Sequence, residues 1–147
     1  MADRPRFLGD EIKALIPQRE PITMIDSIFC PTESEAETGL RIQGDNVFCE
    51  GGLFREPGII EHIAQSAAAL LGYNDYVASE GKKAPNFGYI GEIKKLKISR
   101  LPLVGETLQT KMRILGEAEG VTLVKAAAAT EKGEVAECSM KLFIDRK

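Results

Sequence analysis

The chain of 147 residues has few of the side chains that bind metals. It contains one histidine, His62, and three cysteines, Cys30, Cys49 and Cys138, which are widely spaced and form no CxxC pair. So few soft ligands argue against a zinc site. An odd number of cysteines without an export signal indicates reduced thiols. We therefore expect neither a metal nor a cofactor.

Long apolar runs are also missing from the sequence. No run approaches the roughly 20 residues that cross a bilayer, and the N-terminus MADRPRFLGD lacks the apolar region of a secretory signal. The net charge of −3 provides no general attraction to nucleic acid or anionic lipid. No GxGxxG, Walker or GxSxG motif occurs. These absences predict a cytoplasmic protein with neither a nucleic-acid nor a membrane partner.

The order of the segments favours one globular domain spanning residues 1–147. A short helix, EIKALI, is followed by strands at ITMIDSIF, GLRIQ and VFCE, with the acidic stretch TESEAE expected to be a solvated turn. Four longer strand segments follow the middle of the chain: NFGYIGEIKKLKISR, ETLQTKMRILGEA, VTLVKAAAATEKG and EVAECSMKLFID. Glu119-Gly120 and Lys132-Gly133 supply hairpin turns between the last three.

The segment PGIIEHIAQSAAALLG, from Pro57 to Gly72, predicts a central helix, which YNDYVASEGKK can extend by a further turn. Proline suits a first helical turn and glycine a C-terminal stop. Apolar residues cover most of the circumference, as in a buried helix, and alanines keep it thin. Because no second helix is available to pack on the later strands, we predict an α+β fold. A curved antiparallel β-sheet then wraps around one long central helix.

This arrangement resembles the hotdog fold of the 3-hydroxyacyl-acyl-carrier-protein dehydratases. LIPQREPITMID resembles their signature Leu-Pro-His-Arg-x-Pro-(apolar)-Asp, with Gln18 where the family has histidine. EPGIIEHIAQSAA resembles their central helix, Pro-Gly-(apolar)-Glu-x-x-Ala-Gln, and LKISRLPLVGETL a later strand pair. Hotdog dehydratase-like proteins of aryl polyene pigment clusters are particularly similar. The alignment implies that Glu61 is the catalytic carboxylate, four residues before Gln65.

The resemblance fails at the family's active histidine, which lies in a Gly-His-Phe-Pro-Gly segment before the helix. The corresponding segment here, CEGGLFREPG, contains no histidine. Adjacent helical residues point about 100° apart, so Glu61 and His62 cannot both face one narrow channel that crosses the helix. The substrate would reach His62 only if the channel followed the helix edge or lay at the first turn. We expect His62 to be a structural or interface residue, bonded to a backbone carbonyl.

Three functions remain open on these residues. In the family, histidine takes the α-proton, the carboxylic acid serves the leaving hydroxyl, and a backbone N–H at the helix start polarises the thioester carbonyl. A divergent dehydratase using Glu61 is the first reading, with Gly58, Ile59 and Gln65 as substrate-binding residues and free N–H groups expected at Gly58 and Ile59. The second is a thioesterase in which Glu61 activates water or attacks directly. The third is a non-catalytic subunit that binds acyl chains or completes the site of an active homologue.

The expected partners follow from the same resemblance. The substrate is an acyl thioester of acyl carrier protein or coenzyme A. An isolated protomer would expose a sheet edge, which natural proteins avoid, so we expect a homodimer or a hotdog heterodimer. Lys94, Lys95, Lys97 and Arg100 are either a dock for an acidic carrier or a solvated sheet face.

Overall fold

A computed structural model of the chain describes residues 4–145. Within these residues, seven strands form one antiparallel sheet and two more form a small hairpin beside it. The elements are β1 (Phe7–Leu8), a 3-10 helix (Gly9–Ala14), β2 (Ser27–Phe29), β3 (Glu35–Arg41), β4 (Cys49–Glu50), β5 (Leu53–Phe54), α1 (Glu56–Ala78), β6 (Phe87–Ile98), β7 (Thr107–Ala118), β8 (Val121–Thr130) and β9 (Gly133–Asp145). The large sheet has the order β1-β2-β3-β7-β8-β9-β6.

The sheet packs its inner face on α1. Buried and exposed residues alternate along β7, β8 and the middle of β9, so each strand presents one apolar face to the helix. The helix lies against β3, β6, β7, β8 and β9. These five strands are consecutive in the sheet, from β3 to the edge strand β6. One helix can contact all five only if the sheet bends around it. The predicted curved sheet with one central helix is therefore confirmed.

Helix α1 continues past Gly72 into the predicted extension YNDYVASEGKK and ends at Ala78. The Ser79 N–H then closes the last turn on the Asp75 carbonyl oxygen at 2.9 Å. Gly72 does not end the helix but allows another segment to pack closely against it. A Cβ at this position would lie 2.0 Å from the Leu15 carbonyl oxygen. Glycine is needed here because the segment after the 3-10 helix crosses α1 at backbone contact.

Several shorter predictions need correction. EIKALI forms part of a 3-10 helix, and only Ser27–Phe29 of ITMIDSIF is a strand. The second half of TESEAE is not a solvated turn, because β3 begins at Glu35 and pairs along its whole length with β7. Its exposed glutamates alternate with buried Ala36 and Thr38, which is the pattern of a half-buried strand.

The first two-residue hairpin turn occurs where predicted, whereas the second lies one residue before the predicted Lys132-Gly133, because Gly133 already pairs with Thr130 as the first residue of β9. Glu119 and Gly120 have φ of 52° and 80° and join β7 to β8, which is the geometry of a type I′ turn. The next hairpin, between β8 and β9, turns at residues 131–132.

Strand β6 forms one edge of the sheet and leaves one side of its backbone unpaired by described residues. Phe87 and Tyr89 of this strand are each 59% exposed. The other edge, β1, is only two residues long. Among the described residues, α1 is the longest helix, and neither it nor the 3-10 helix is long and apolar enough to cross a membrane.

Candidate active site

Glu61 lies in the second turn of α1 and lines a cavity of about 310 Å³ between the helix and strands β6 and β9. Ala64 and Ala68, three and seven residues further on, line the same cavity because they share this helix face. Their short side chains leave the space open. The other lining residues are Gln18, Gly88, Tyr89, Ile90, Leu142 and Ile144. The carboxylate therefore shares the cavity with one amide side chain and with several apolar side chains.

Gln65 holds the Glu61 carboxylate in place. Its side-chain nitrogen donates to Glu61 Oε2 at 3.0 Å and to the Ile22 carbonyl oxygen at 2.9 Å. Its side-chain oxygen accepts from the Met24 N–H at 2.6 Å. Gln65 is buried, and both of its amide hydrogens have partners within the chain. The structure thus places Gln65 between the loop before β2 and the candidate acid.

His62 is fully buried and faces away from this cavity. Its Nδ1 lies 2.8 Å from the Met24 carbonyl oxygen and its Nε2 lies 2.7 Å from Thr110 Oγ1. A carbonyl oxygen only accepts, so Nδ1 donates and Nε2 accepts from the threonine hydroxyl. Burial lowers the pKa of His62 to about 4. The imidazole is therefore neutral, and the expected bond to a backbone carbonyl is present.

The histidine belongs to a polar chain through the core. Ser66 Oγ donates to the His62 carbonyl oxygen at 2.7 Å and lies 2.7 Å from Thr38 Oγ1. Thr38 and Thr110 are cross-strand neighbours on β3 and β7. All four residues are buried. These bonds connect α1 to the sheet, and they give His62 a structural role on the side opposite Glu61.

The N–H groups at the start of α1 are not free, so this expectation is wrong. Those of Gly58 and Ile59 both donate to the Arg55 carbonyl oxygen, at 3.0 and 3.2 Å. A Cβ on Gly58 would lie 2.6 Å from both Phe48 Cβ and the Phe54 ring. The β4–β5 hairpin thus covers the helix start, and glycine is required there for close packing.

The segment CEGGLFREPG contains no candidate base near Glu61. It forms the β4–β5 hairpin, in which Gly51 and Gly52 make the turn with φ of 60° and 80°. The interpretation of this pair as a turn is therefore confirmed. Arg55 pairs with the neighbouring Glu56 at 3.2 Å.

The first family motif builds the loop that enters the cavity. The Arg19 guanidinium donates to the carbonyl oxygens of Ile16, Gln18 and Lys13 at 2.8, 2.9 and 3.3 Å. Asp26 accepts from the Arg41 N–H at 2.8 Å. Gln18, which entered the sequence comparison only as a departure from the motif, is brought beside Glu61. The replacement of the family's histidine by Gln18 was the only feature of the sequence that drew attention to this residue.

Two members of the basic set, Lys94 and Arg100, have separate carboxylate partners. Lys94 lies 3.3 Å from Glu92, whereas Arg100 forms a 2.8 Å ion pair with Glu106 at the far end of β6. The Arg100 guanidinium holds the pKa of Glu106 at about 2. Arg100 therefore has a structural partner.

Comparisons with known proteins place the chain in a family. A family model described as ApeP dehydratase, of the ApeP-like family, matches residues 10–146. The chain is 33% identical over 147 residues to a 3-hydroxyacyl-[acyl-carrier-protein] dehydratase FabZ from Clostridium botulinum, which covers 95% of this chain and 96% of that protein. It is 27% identical over 149 residues to FabZ from Haemophilus influenzae, with coverage of 98% and 97%.

Solved structures with the same fold include dehydratases and thioesterases. A chain of the dehydratase heterocomplex ApeI:P from Xenorhabdus doucetiae matches with a TM-score of 0.80 at 14% identity, over 99% of this chain and 94% of that one. A hypothetical thioesterase with coenzyme A from Streptococcus pneumoniae matches with a TM-score of 0.62 at 8% identity, over 82% and 86%. These matches confirm the predicted hotdog fold, and with the family model and the FabZ relatives they show that the chain belongs to the ApeP-like family of dehydratases.

Proposed function

We propose that this chain is a subunit of a dehydratase for 3-hydroxyacyl thioesters, and that it contributes Glu61 to a site whose histidine comes from a partner chain. One observation carries the proposal. Glu61 lines an open cavity, whereas His62, the only histidine of the sequence, is buried with both ring nitrogens bonded elsewhere. The names of the FabZ relatives suggest the thioester of an acyl carrier protein as substrate.

The chemistry assigns Glu61 the role of general acid. Dehydration removes a proton from C2 and the hydroxyl from C3, so it needs a base at one carbon and an acid at the other oxygen. The protonated Glu61 gives its proton to the hydroxyl, which leaves as water while the C2–C3 double bond forms. Gln65 fixes Oε2 of the carboxylate, and no described residue donates to Oε1. Gln65 therefore acts here as a positioning residue.

Two substrate-binding assignments change in this proposal. The N–H groups of Gly58 and Ile59 are bonded to Arg55, so neither polarises the thioester carbonyl from its present position. The two residues instead support the packed helix start beneath Phe54.

The histidine has to come from a different chain. Two copies of this sequence would bring together two buried His62 side chains and no imidazole for the cavity. Strand β6 offers the place for another chain, because its unpaired edge carries exposed Phe87 and Tyr89, and Tyr89 also lines the Glu61 cavity. The structural neighbour ApeI:P is itself a heterocomplex. These features support a hotdog heterodimer over a homodimer.

The test compares this chain alone with this chain co-purified with a hotdog dehydratase chain that retains the Gly-His-Phe-Pro-Gly histidine. The formation of 2-enoyl product from a 3-hydroxyacyl carrier-protein thioester is measured. We expect activity only in the complex, with Glu61→Gln lowering kcat by about 10²- to 10⁴-fold. Gln109→Met, on the outer face of β7, is the matched control and should leave the rate unchanged. Equal rates for wild type and Glu61→Gln would remove Glu61 from the mechanism.

Thioester hydrolysis is the second candidate, because a lone carboxylate beside an apolar slot can activate water without an imidazole. Release of free thiol by this chain alone, without an enoyl product, would favour it. If the complex is active and independent of Glu61, the chain is instead a non-catalytic partner of the active subunit.

A further inference from the structure

Gln18 stands in the wall of the Glu61 cavity. It is one of the nine residues that line that cavity, and it also lines a second cavity of about 110 Å³ next to the 3-10 helix. It is the only amide side chain among the residues that line the larger cavity. A ligand in this cavity would therefore lie near Gln18 and the Glu61 carboxylate.

The side-chain oxygen of Gln18 is buried and accepts no hydrogen bond from any described residue. A buried acceptor without a partner destabilises a folded chain, and the great majority of buried polar groups in proteins are bonded. Among the described residues only one other side-chain atom shares this condition, Arg100 Nε, and it lies in a separate ion pair. The unpaired oxygen thus occurs beside the candidate acid.

Bonds on both sides of Gln18 hold its loop in place. On one side, the Arg19 guanidinium is bonded to the carbonyl oxygens of Ile16 and Gln18. On the other side, Gln65 binds the Ile22 carbonyl oxygen and the Met24 N–H. Because Gln65 also binds Glu61, the loop and the carboxylate share one anchor. The loop that carries Gln18 and the Glu61 carboxylate are therefore held by one anchor beside the cavity.

We propose that the Gln18 amide turns toward the cavity when a thioester binds, so that its side-chain oxygen accepts a hydrogen bond from the 3-hydroxyl group, which makes Gln18 a specificity-determining residue for hydroxylated acyl chains. The inference rests on the proposed function. The hydroxyl oxygen receives the proton of Glu61 as the C3–O bond breaks, so the hydrogen it already carries needs a different acceptor. Gln18 provides that acceptor, and both hydrogens leave as water.

The proposal is tested on the full chain with two ligands that differ by this hydroxyl. Binding of 3-hydroxybutanoyl-coenzyme A and butanoyl-coenzyme A is measured by calorimetry for the wild type, for Gln18→Met and for the control Gln109→Met. Methionine keeps the length of glutamine without an acceptor of similar strength. We expect Gln18→Met to weaken binding of the hydroxylated ligand about 5- to 10-fold and to leave the other ligand unchanged.

Thermal unfolding of the ligand-free variants supplies a second readout. Because Gln18→Met removes a buried unpaired oxygen, it should raise Tm, whereas Gln109→Met should not. A lower Tm, an equal loss of affinity for both thioesters, or unchanged affinity for both would overturn the role of Gln18 while leaving the proposed function intact. Unchanged affinity is expected if the oxygen serves only the smaller cavity. If the wild type binds neither thioester, this inference fails, whereas the proposed function is judged by enoyl formation in the complex with the partner chain.

Discussion

The Thr110 hydroxyl lies 2.7 Å from Nε2 of His62, across 48 residues of sequence, and joins the middle of β7 to the second turn of α1. With the Met24 carbonyl on Nδ1, it fixes a neutral imidazole inside the core. The bond explains why the chain keeps a histidine next to its candidate acid without placing it in the cavity. Glu61 and His62 are thus adjacent in sequence, but their side chains lie in different parts of the structure.

The burial of His62 predicts a stability that depends on pH. Its folded-state pKa of about 4 lies below the ordinary value of 6.5, so the unfolded chain binds more protons between these values. The free energy of unfolding therefore falls as the pH decreases from about 6.5 to 4, by up to about 3 kcal/mol. The free energy of unfolding is measured in urea for the wild type and for His62→Gln across this pH range. The carboxylates titrate in both proteins, so their contribution cancels when the two pH curves are subtracted. Parallel curves would contradict the prediction.

Gln65→Met should destabilise the chain by about 2–4 kcal/mol. It removes the bonds to Ile22, Met24 and Glu61 and leaves the buried Met24 N–H unpaired. Urea unfolding measures the loss. Gln18→Met is expected to stabilise the chain, so the same substitution at Gln18 and at Gln65 should change the free energy of unfolding in opposite directions. A neutral Gln65→Met would show that the loop needs no anchor on the helix.

Gly72→Ala should destabilise the chain although alanine is the better helix former by about 1 kcal/mol. The new Cβ would lie 2.0 Å from the Leu15 carbonyl oxygen, so helix and loop must separate. We expect a loss of about 1–3 kcal/mol, the usual range for overpacking. Gly116→Ala in β7, where a Cβ meets no atom within 4 Å, serves as the control in thermal unfolding. A raised Tm for Gly72→Ala would disprove the close contact.

The double variant Phe87→Lys/Tyr89→Lys should abolish association along β6 without unfolding the protomer. Both side chains are 59% exposed, and lysine on an edge strand opposes pairing with another chain. Analytical ultracentrifugation of the complex gives its mass, and circular dichroism checks the fold. Leu115→Lys, at a site 47% exposed on the interior strand β7, should leave association intact. A complex that survives the double variant assembles through another surface.

The sequence predicted the fold because its strongest patterns are local. The alternation of apolar and polar residues along the last three strands indicates strands with one buried face. The proline at the start of an apolar, alanine-rich segment indicates a buried helix. The observed hydrogen bond between Gln65 and Glu61 agrees with their four-residue spacing on the predicted helix. The expected separation of His62 from Glu61 followed from the helical period in the same way.

Some of the failures concern contacts between segments far apart in the chain. Gly72 has the local signature of a helix stop, and only the approach of Leu15 reveals its packing role. The unpaired oxygen of Gln18 likewise depends on which side chains surround it in three dimensions. The failed prediction of free N–H groups at Gly58 and Ile59 is a local one: α1 begins at Glu56, one residue earlier than predicted, so the bonds of both groups to the Arg55 carbonyl belong to its first turn.

Strand β6 is at once the outer margin of the sheet and a wall of the slot that contains Glu61. A chain that pairs with the first residues of this strand would contact Tyr89 and Ile90, which also border the cavity that we propose for the acyl group. On the proposed function, the same residues then govern both the choice of partner and the choice of substrate. A mutation there would alter both properties together, which would couple their evolution.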